Sequence, residues 1–183
     1  EKAIKARILL RDSFTDFARH CLTIRTKDGS LSEFKLNRAQ QHIHDRIEQQ
    51  LKDTGRVRAI ILKGRQQGCS TYVEGRYYWK TIHRKGVRSF ILAHEKESTN
   101  AIYEMAKRYH DHCPDALRPH TGTSNAKELV FDVLDSGYRI GTAGNESVGR
   151  GTTLQYFHGS EVAFWPSRSE GEISKGVLQA ASG

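Results

Sequence analysis

The side chains of this chain best suited to chemistry fall in one stretch: Lys63, Gly64, Arg65, Gln66, Gln67, Gly68, Cys69, Ser70 and Thr71. They follow an apolar, strand-like run at 57–62 and precede a helical pattern, the setting of a phosphate-binding loop. There, glycines let backbone N–H groups and the helix dipole converge on a triphosphate. The usual spacing, G-x-x-x-x-G-K-[ST], places a lysine directly after the second glycine. Aligned on Gly68 and Ser70, the chain has Cys69 in that place and Lys63 where the first glycine belongs. The positive charge has moved to the loop entrance, from which a long, flexible lysine reaches phosphate oxygens. Ser70 is placed to ligate Mg²⁺. Cys69 reads as a small filler, with a low-pKa nucleophile at a helix N-terminus as the rival reading. A glycine turn before an ordinary helix is the bland alternative.

Two further segments weigh against that alternative. The apolar run Leu154-Gln155-Tyr156-Phe157 leads through His158, Gly159 and Ser160 to Glu161. It has the form of a Walker B segment, hhhhDE, with Ser160 in place of the aspartate. A carboxylate at the C-terminal edge of a strand can orient or deprotonate the water that attacks a γ-phosphate. The second segment, 34–41, carries Gln40 near a helix start. A glutamine amide offers one donor side and one acceptor side, which suits the edge of adenine and favours ATP. Gln40 is the reader expected here; Gln41 reads as a solvent-facing neighbour.

The elements that must hold these groups are legible in outline. A helix is expected over 3–20, from the spacing of Ile4, Ile8, Leu9, Phe14 and Phe17, then a hairpin over 22–36 turning at Asp28-Gly29. A helix from about Arg38 to Lys52 follows, with Asn37 as its N-cap and Ile43, Ile47 and Leu51 as its buried stripe. The run 57–62 reads as a strand buried on both faces of a parallel sheet. After it come a helix over 70–83, a strand over 89–93 and a helix over 95–112 with Ile102, Met105, Ala106 and Tyr109 on one face. A second hairpin over 127–142, a glycine-rich loop at 144–151 and a strand over 153–157 complete the pattern. This order is α/β with a mainly parallel sheet flanked by helices.

Bulk composition agrees with a soluble globular protein: 183 residues, 37% hydrophobic and 27% charged. No run reaches the length of a membrane span, and the opening residues Glu1 to Lys5 contain no apolar signal core. Three widely spaced cysteines, Cys21, Cys69 and Cys113, point to a reducing, cytoplasmic setting. The formal net charge is +8, and residues 54–90 carry nine basic side chains against the single acid Glu74. Such an excess favours a polyanionic partner, nucleic acid or nucleotide, over a neutral one. His110, His112 and Cys113 cluster but lack a second ligand pair at zinc spacing, so a solvated helix end before Pro114 is expected.

With these motifs in place, the chain resembles the N-terminal ATPase domain of a large terminase subunit, the DNA-packaging motor of tailed bacteriophages. The resemblance rests on the segment 36–40, the displaced-lysine loop 63–71, Gly149-Arg150-Gly151, and Phe157-His158-Gly159-Ser160-Glu161-Val162-Ala163-Phe164-Trp165. It implies a RecA-like (ASCE) P-loop fold over 1–183, with ATP and Mg²⁺ as cofactors. Glu161 would be the catalytic glutamate, Arg65 would contact phosphate or sense its state, and Arg150 would be an arginine finger reaching a neighbouring subunit's site. Ser70 would bind Mg²⁺ directly and Ser160 through water. The implied partners are double-stranded DNA, a portal protein, a small terminase subunit and further copies in a ring. The implied location is the host bacterial cytoplasm, transiently at the procapsid portal. The family's coupling motif and C-terminal nuclease domain find no match, so the chain reads as a fragment of such a protein without nuclease activity. Two alternatives stay open: a superfamily 2-type helicase or translocase, and a non-catalytic nucleic-acid-binding module with a decayed P-loop.

Overall fold

Ser13 divides the first helical stretch in two. Its hydroxyl accepts the Asp16 N–H at 3.3 Å in extended backbone geometry, so it caps a new helix and stops the old one. The computed structural model, which describes residues 2–64, 66–125, 127–143 and 153–166, therefore begins with α1 (Lys2–Asp12) and α2 (Phe14–Cys21). The expected single helix is corrected accordingly. Ile4, Ile8 and Leu9 of α1 are exposed, whereas Phe14 and Phe17 of α2 are buried.

The first hairpin forms as β1 (Thr23–Arg25) and β2 (Leu31–Glu33), paired antiparallel. Gly29, at φ 88°, adopts the left-handed conformation its turn requires. Asn37 then caps α3 (Arg38–Thr54) in a reciprocal capping box with Gln40. Ile43 and Ile47 are half-buried against the main core.

The run 57–62 is not a strand. Ile60 and Leu62 are fully exposed, and Val57 and Ile61 keep more than a third of their surface in solvent. A buried parallel strand needs a neighbour to take its backbone N–H and C=O groups. Here Arg58 gives its N–H to Gln50 Oε1 at 2.9 Å, and its carbonyl accepts from Gln50 Nε2 at 3.1 Å. The segment is thus tied to α3 instead of to the sheet.

The remaining elements build the α/β body. They are α4 (Cys69–Ile82), β3 (Arg88–Ala93), α5 (Lys96–Asp111), β4 (Thr123–Asn125), β5 (Glu128–Phe131), β6 (Ser136–Thr142) and β7 (Tyr156–Gly159). The sheet order is β4-β5-β6-β3-β7. β3 lies parallel to both β6 and β7, while β4-β5 and β5-β6 are antiparallel, so the sheet is mixed. The second hairpin is therefore present as β5 and β6. β4 was not foreseen, and β7 is displaced toward the C-terminus of the expected 153–157.

Buried on almost its whole length, β3 is an interior strand between β6 and β7, as its apolar run Phe90–Ala93 requires. α4 and α5 bury Tyr72, Tyr78, Ile102, Ala106 and Tyr109 in the same core as Phe14, Phe17 and Phe131. The end of α5 is not solvated as expected. His110 is buried, its Nδ1 3.2 Å from the Tyr78 hydroxyl and its ring against Phe131, and Cys113 is buried beside them. Among the described residues no helix is long and apolar enough to cross a membrane.

Candidate functional site

Helix α4 runs antiparallel to the parallel strands it covers. Its Thr81 hydroxyl meets Ser89 at the start of β3 at 2.7 Å, and the Tyr77 hydroxyl donates to the Phe157 carbonyl at 2.6 Å. One turn nearer its N-terminus, Glu74 Oε1 meets His158 Nδ1 at 2.6 Å. Going back along the helix therefore means going forward along β7. From Glu74 to Ser70 is about 6 Å of helix rise, and from His158 to Glu161 about 10 Å of extended chain. The N-terminus of α4 and Glu161 consequently lie toward the same edge of the sheet, the carboxyl ends of the parallel strands. Open α/β sheets place ligands at that edge.

The loop has the backbone such a site demands. Gly68 caps α4 at φ 74°, and Gln66 also takes a positive φ, 57°. A Cβ at Gly68 would fall 2.6 Å from Gln40 Nε2, so a side chain here, already strained at this φ, would displace the Gln40 amide. Ser70 and Thr71 stand half-buried in the first turn of α4. Lys63 is exposed, and its positive charge favours the ionised form of the Cys69 thiol. Burial nonetheless pushes the Cys69 thiol up from its ordinary range, the reverse of what an activated nucleophile needs.

The glutamine segment meets the loop directly. Asn37 Nδ2 donates to the Gln67 carbonyl at 3.2 Å, and Gln40 Nε2 donates to the Gly68 carbonyl at 2.8 Å. Gln40 Oε1 accepts the Asn37 N–H at 2.9 Å, so both sides of this buried amide are engaged within the chain. An adenine edge would have to displace those bonds. Exposed Gln41 donates to Asp45 at 2.8 Å and lines an open hollow of about 380 Å³ with Thr15, Arg19, Phe34, Lys35 and Leu36.

Glu161 leaves β7 in a left-handed conformation, φ 55° and ψ 45°, rare for a residue with a side chain. Around it the turn is tight: Ser160 N–H donates to the Leu92 carbonyl at 2.8 Å, and the Trp165 indole N–H donates to the Ser160 carbonyl at 3.0 Å. Ser160 is buried and the Glu161 carboxylate is partly open. Backbone strain of this kind, about 1–3 kcal/mol, persists where the surroundings over-determine it.

No known family profile matches this chain, and no curated protein sequence matches it. Arg65 and Arg150 lie outside the described residues, so the site is built from Lys63, Gly64, Gln66 to Thr71, Gln40, Ser160 and Glu161. Among the described residues no group of three or more His, Cys, Asp and Glu side chains is arranged to hold a metal ion. The oxygen ligands offered at this edge, a serine hydroxyl and a carboxylate, suit a hard cation that arrives already bound to phosphates.

Sequence reasoning missed three participants: Asn37 as a clamp on the loop, the Glu74–His158 contact, and His94. The last follows the apolar strand β3 directly, and a parallel pairing of the segments 89–93 and 156–159 places it beside Glu161.

Proposed function

We propose that this chain is the ATPase part of a large terminase subunit with a RecA-like P-loop fold, hydrolysing ATP to drive double-stranded DNA into a procapsid. The observation that carries the reading is the common edge shared by the loop at the start of α4 and the Glu161 turn at the end of β7. A triphosphate seated on the α4 N-terminus would present its γ-phosphate toward that carboxylate.

In this reading Lys63 and the backbone N–H groups of the loop hold the phosphates, and Ser70 holds Mg²⁺. The cation neutralises phosphate charge when bound. Glu161 orients the attacking water and accepts its proton. Ser160 supports the cation through water. Arg150 and Arg65 supply charge to the transferred phosphoryl group, Arg150 from a neighbouring copy in a ring on the portal. The basic stretch 54–90 favours DNA as the substrate of translocation.

The test is steady-state ATP turnover of wild type, Glu161→Ala and Lys63→Ala, with and without double-stranded DNA. Losing one transition-state group of this kind lowers kcat by about 10²–10³. Turnover at the wild-type rate in both variants would remove the mechanism. Separation of a forked duplex would instead favour the helicase reading.

A further inference from the structure

In the parallel register Leu92 of β3 pairs with Gly159 of β7. Two residues further on, His94 and Glu161 leave the sheet side by side. Nδ1 of His94 stands 3.2 Å from Glu161 Oε2, and Nε2 stands 3.1 Å from Glu95 Oε1. The ring is largely buried, and it lies 5.9 Å from the Phe164 ring at an angle of 47°. Phe164 belongs to the short 3-10 turn that Glu161 opens. One imidazole thus touches both the side chain and the following turn of the proposed base.

Nδ1 is a buried atom, and in this resting geometry it makes an ion-pair contact without a directed hydrogen bond. A buried ring nitrogen without a hydrogen-bond partner is costly unless one is close at hand. A small rotation of the half-exposed Glu161 side chain supplies one. A carboxylate oxygen thus stands close to each of the two ring nitrogens.

We propose that His94 is a positioning residue for Glu161, holding its carboxylate at the sheet edge, while Glu95 fixes the ring from the other side. The arrangement Glu95–His94–Glu161 has the logic of an oriented base, in which a third group sets the geometry of the second. The inference rests on the reading of Glu161 as the base that orients water.

The experiment compares ATP turnover of the full chain for wild type, His94→Phe, His94→Gln, Glu161→Gln and the double variant His94→Phe/Glu161→Gln. Phenylalanine keeps a ring against Phe164 and removes both nitrogens; glutamine restores an amide N–H donor group. The expected result is a kcat about tenfold lower for His94→Phe with KM for ATP within about twofold, because the group acts only on the positioned base. His94→Gln recovers part of the loss, and the double variant is no slower than Glu161→Gln alone. Wild-type kcat in His94→Phe, with Glu161→Gln inactive, overturns the inference and leaves the base intact. If turnover is absent or independent of Glu161, the base reading fails, and the contact is then read directly. The ring nitrogen signals of His94 in nitrogen-15 spectra shift on Glu161→Gln if the two groups are coupled. Unmoved signals overturn the pairing.

Discussion

Glu74 and His158 meet across the boundary between the loop-bearing helix and the strand that leads to Glu161, with Nδ1 of the imidazole 2.6 Å from Oε1. Glu74 is fully buried, and the hydroxyl of Tyr138 donates to its other oxygen. Both carboxylate oxygens are therefore satisfied, by residues of two different strands. Burial, followed by the adjacent Glu74 charge, holds the Tyr138 hydroxyl well above its ordinary pKa. The three side chains fasten α4, β6 and β7 to one another immediately beneath the candidate site.

Replacing Glu74 by Leu should destabilise the fold strongly. Leucine leaves both the Tyr138 hydroxyl and His158 Nδ1 without their acceptor, and each buried polar group left unsatisfied costs about 1–3 kcal/mol. Glu74→Gln, which retains an acceptor for Tyr138, should cost less. Urea unfolding followed by circular dichroism measures both. Equal stability of wild type and Glu74→Leu would show that the contact does not hold the layers together.

Gln40 and Gln41 should separate in their effects. Gln40→Ala removes the capping-box bond to Asn37 and the bond to the Gly68 carbonyl, so it should lower Tm and weaken ATP binding together. A lost net hydrogen bond of this kind amounts to about 0.5–1.5 kcal/mol. Gln41→Ala, at an exposed position, should leave Tm nearly unchanged. Discrimination of ATP from GTP that survives Gln40→Ala but is lost in Gln41→Ala would assign adenine recognition to the exposed residue. Thermal melts and competition binding with the two nucleotides decide the matter.

Lys80 supplies a pH signature. Burial first, then repulsion from Arg76 and Arg84, lowers its pKa from the ordinary lysine value to about 8, although the ammonium sits 4.2 Å from the Trp79 ring centroid. The folded state thus binds this proton less well than the unfolded chain. The resulting destabilisation is fully present below pH 8 and fades as pH rises toward the unfolded lysine value. Lys80→Met should therefore raise Tm at pH 7, and its advantage should shrink by pH 10. An advantage that does not change with pH would mean that desolvated charge is not the cause.

Much of the candidate site was legible from local sequence because its chemistry depends on short-range rules. Asn37 and Gln40 have the spacing of a capping box, and α3 starts where that box requires. The apolar stretch before His94 is an interior strand, and helix α5 buries Ile102, Ala106 and Tyr109 as their spacing demands. The run 57–62 failed for the complementary reason. An apolar run records a capacity to pair, whereas pairing depends on a neighbour whose backbone groups are free, and Arg58 is bonded to Gln50. Helix α1 forms, yet Ile4, Ile8 and Leu9, which have the right spacing for a buried stripe, face solvent.

What the sequence alone determined was the inventory: a displaced lysine at Lys63, a glycine loop, a strand ending in Ser160-Glu161, and a basic excess. The tertiary structure decided which of these groups meet. It turned Gln40 into the loop, withdrew Cys69 into a buried position, and set His94 beside Glu161 through the register of β3 and β7. The physical reason is range. Helix caps and turns are set by residues three or four apart, whereas strand register is fixed only when side chains distant in sequence share one core.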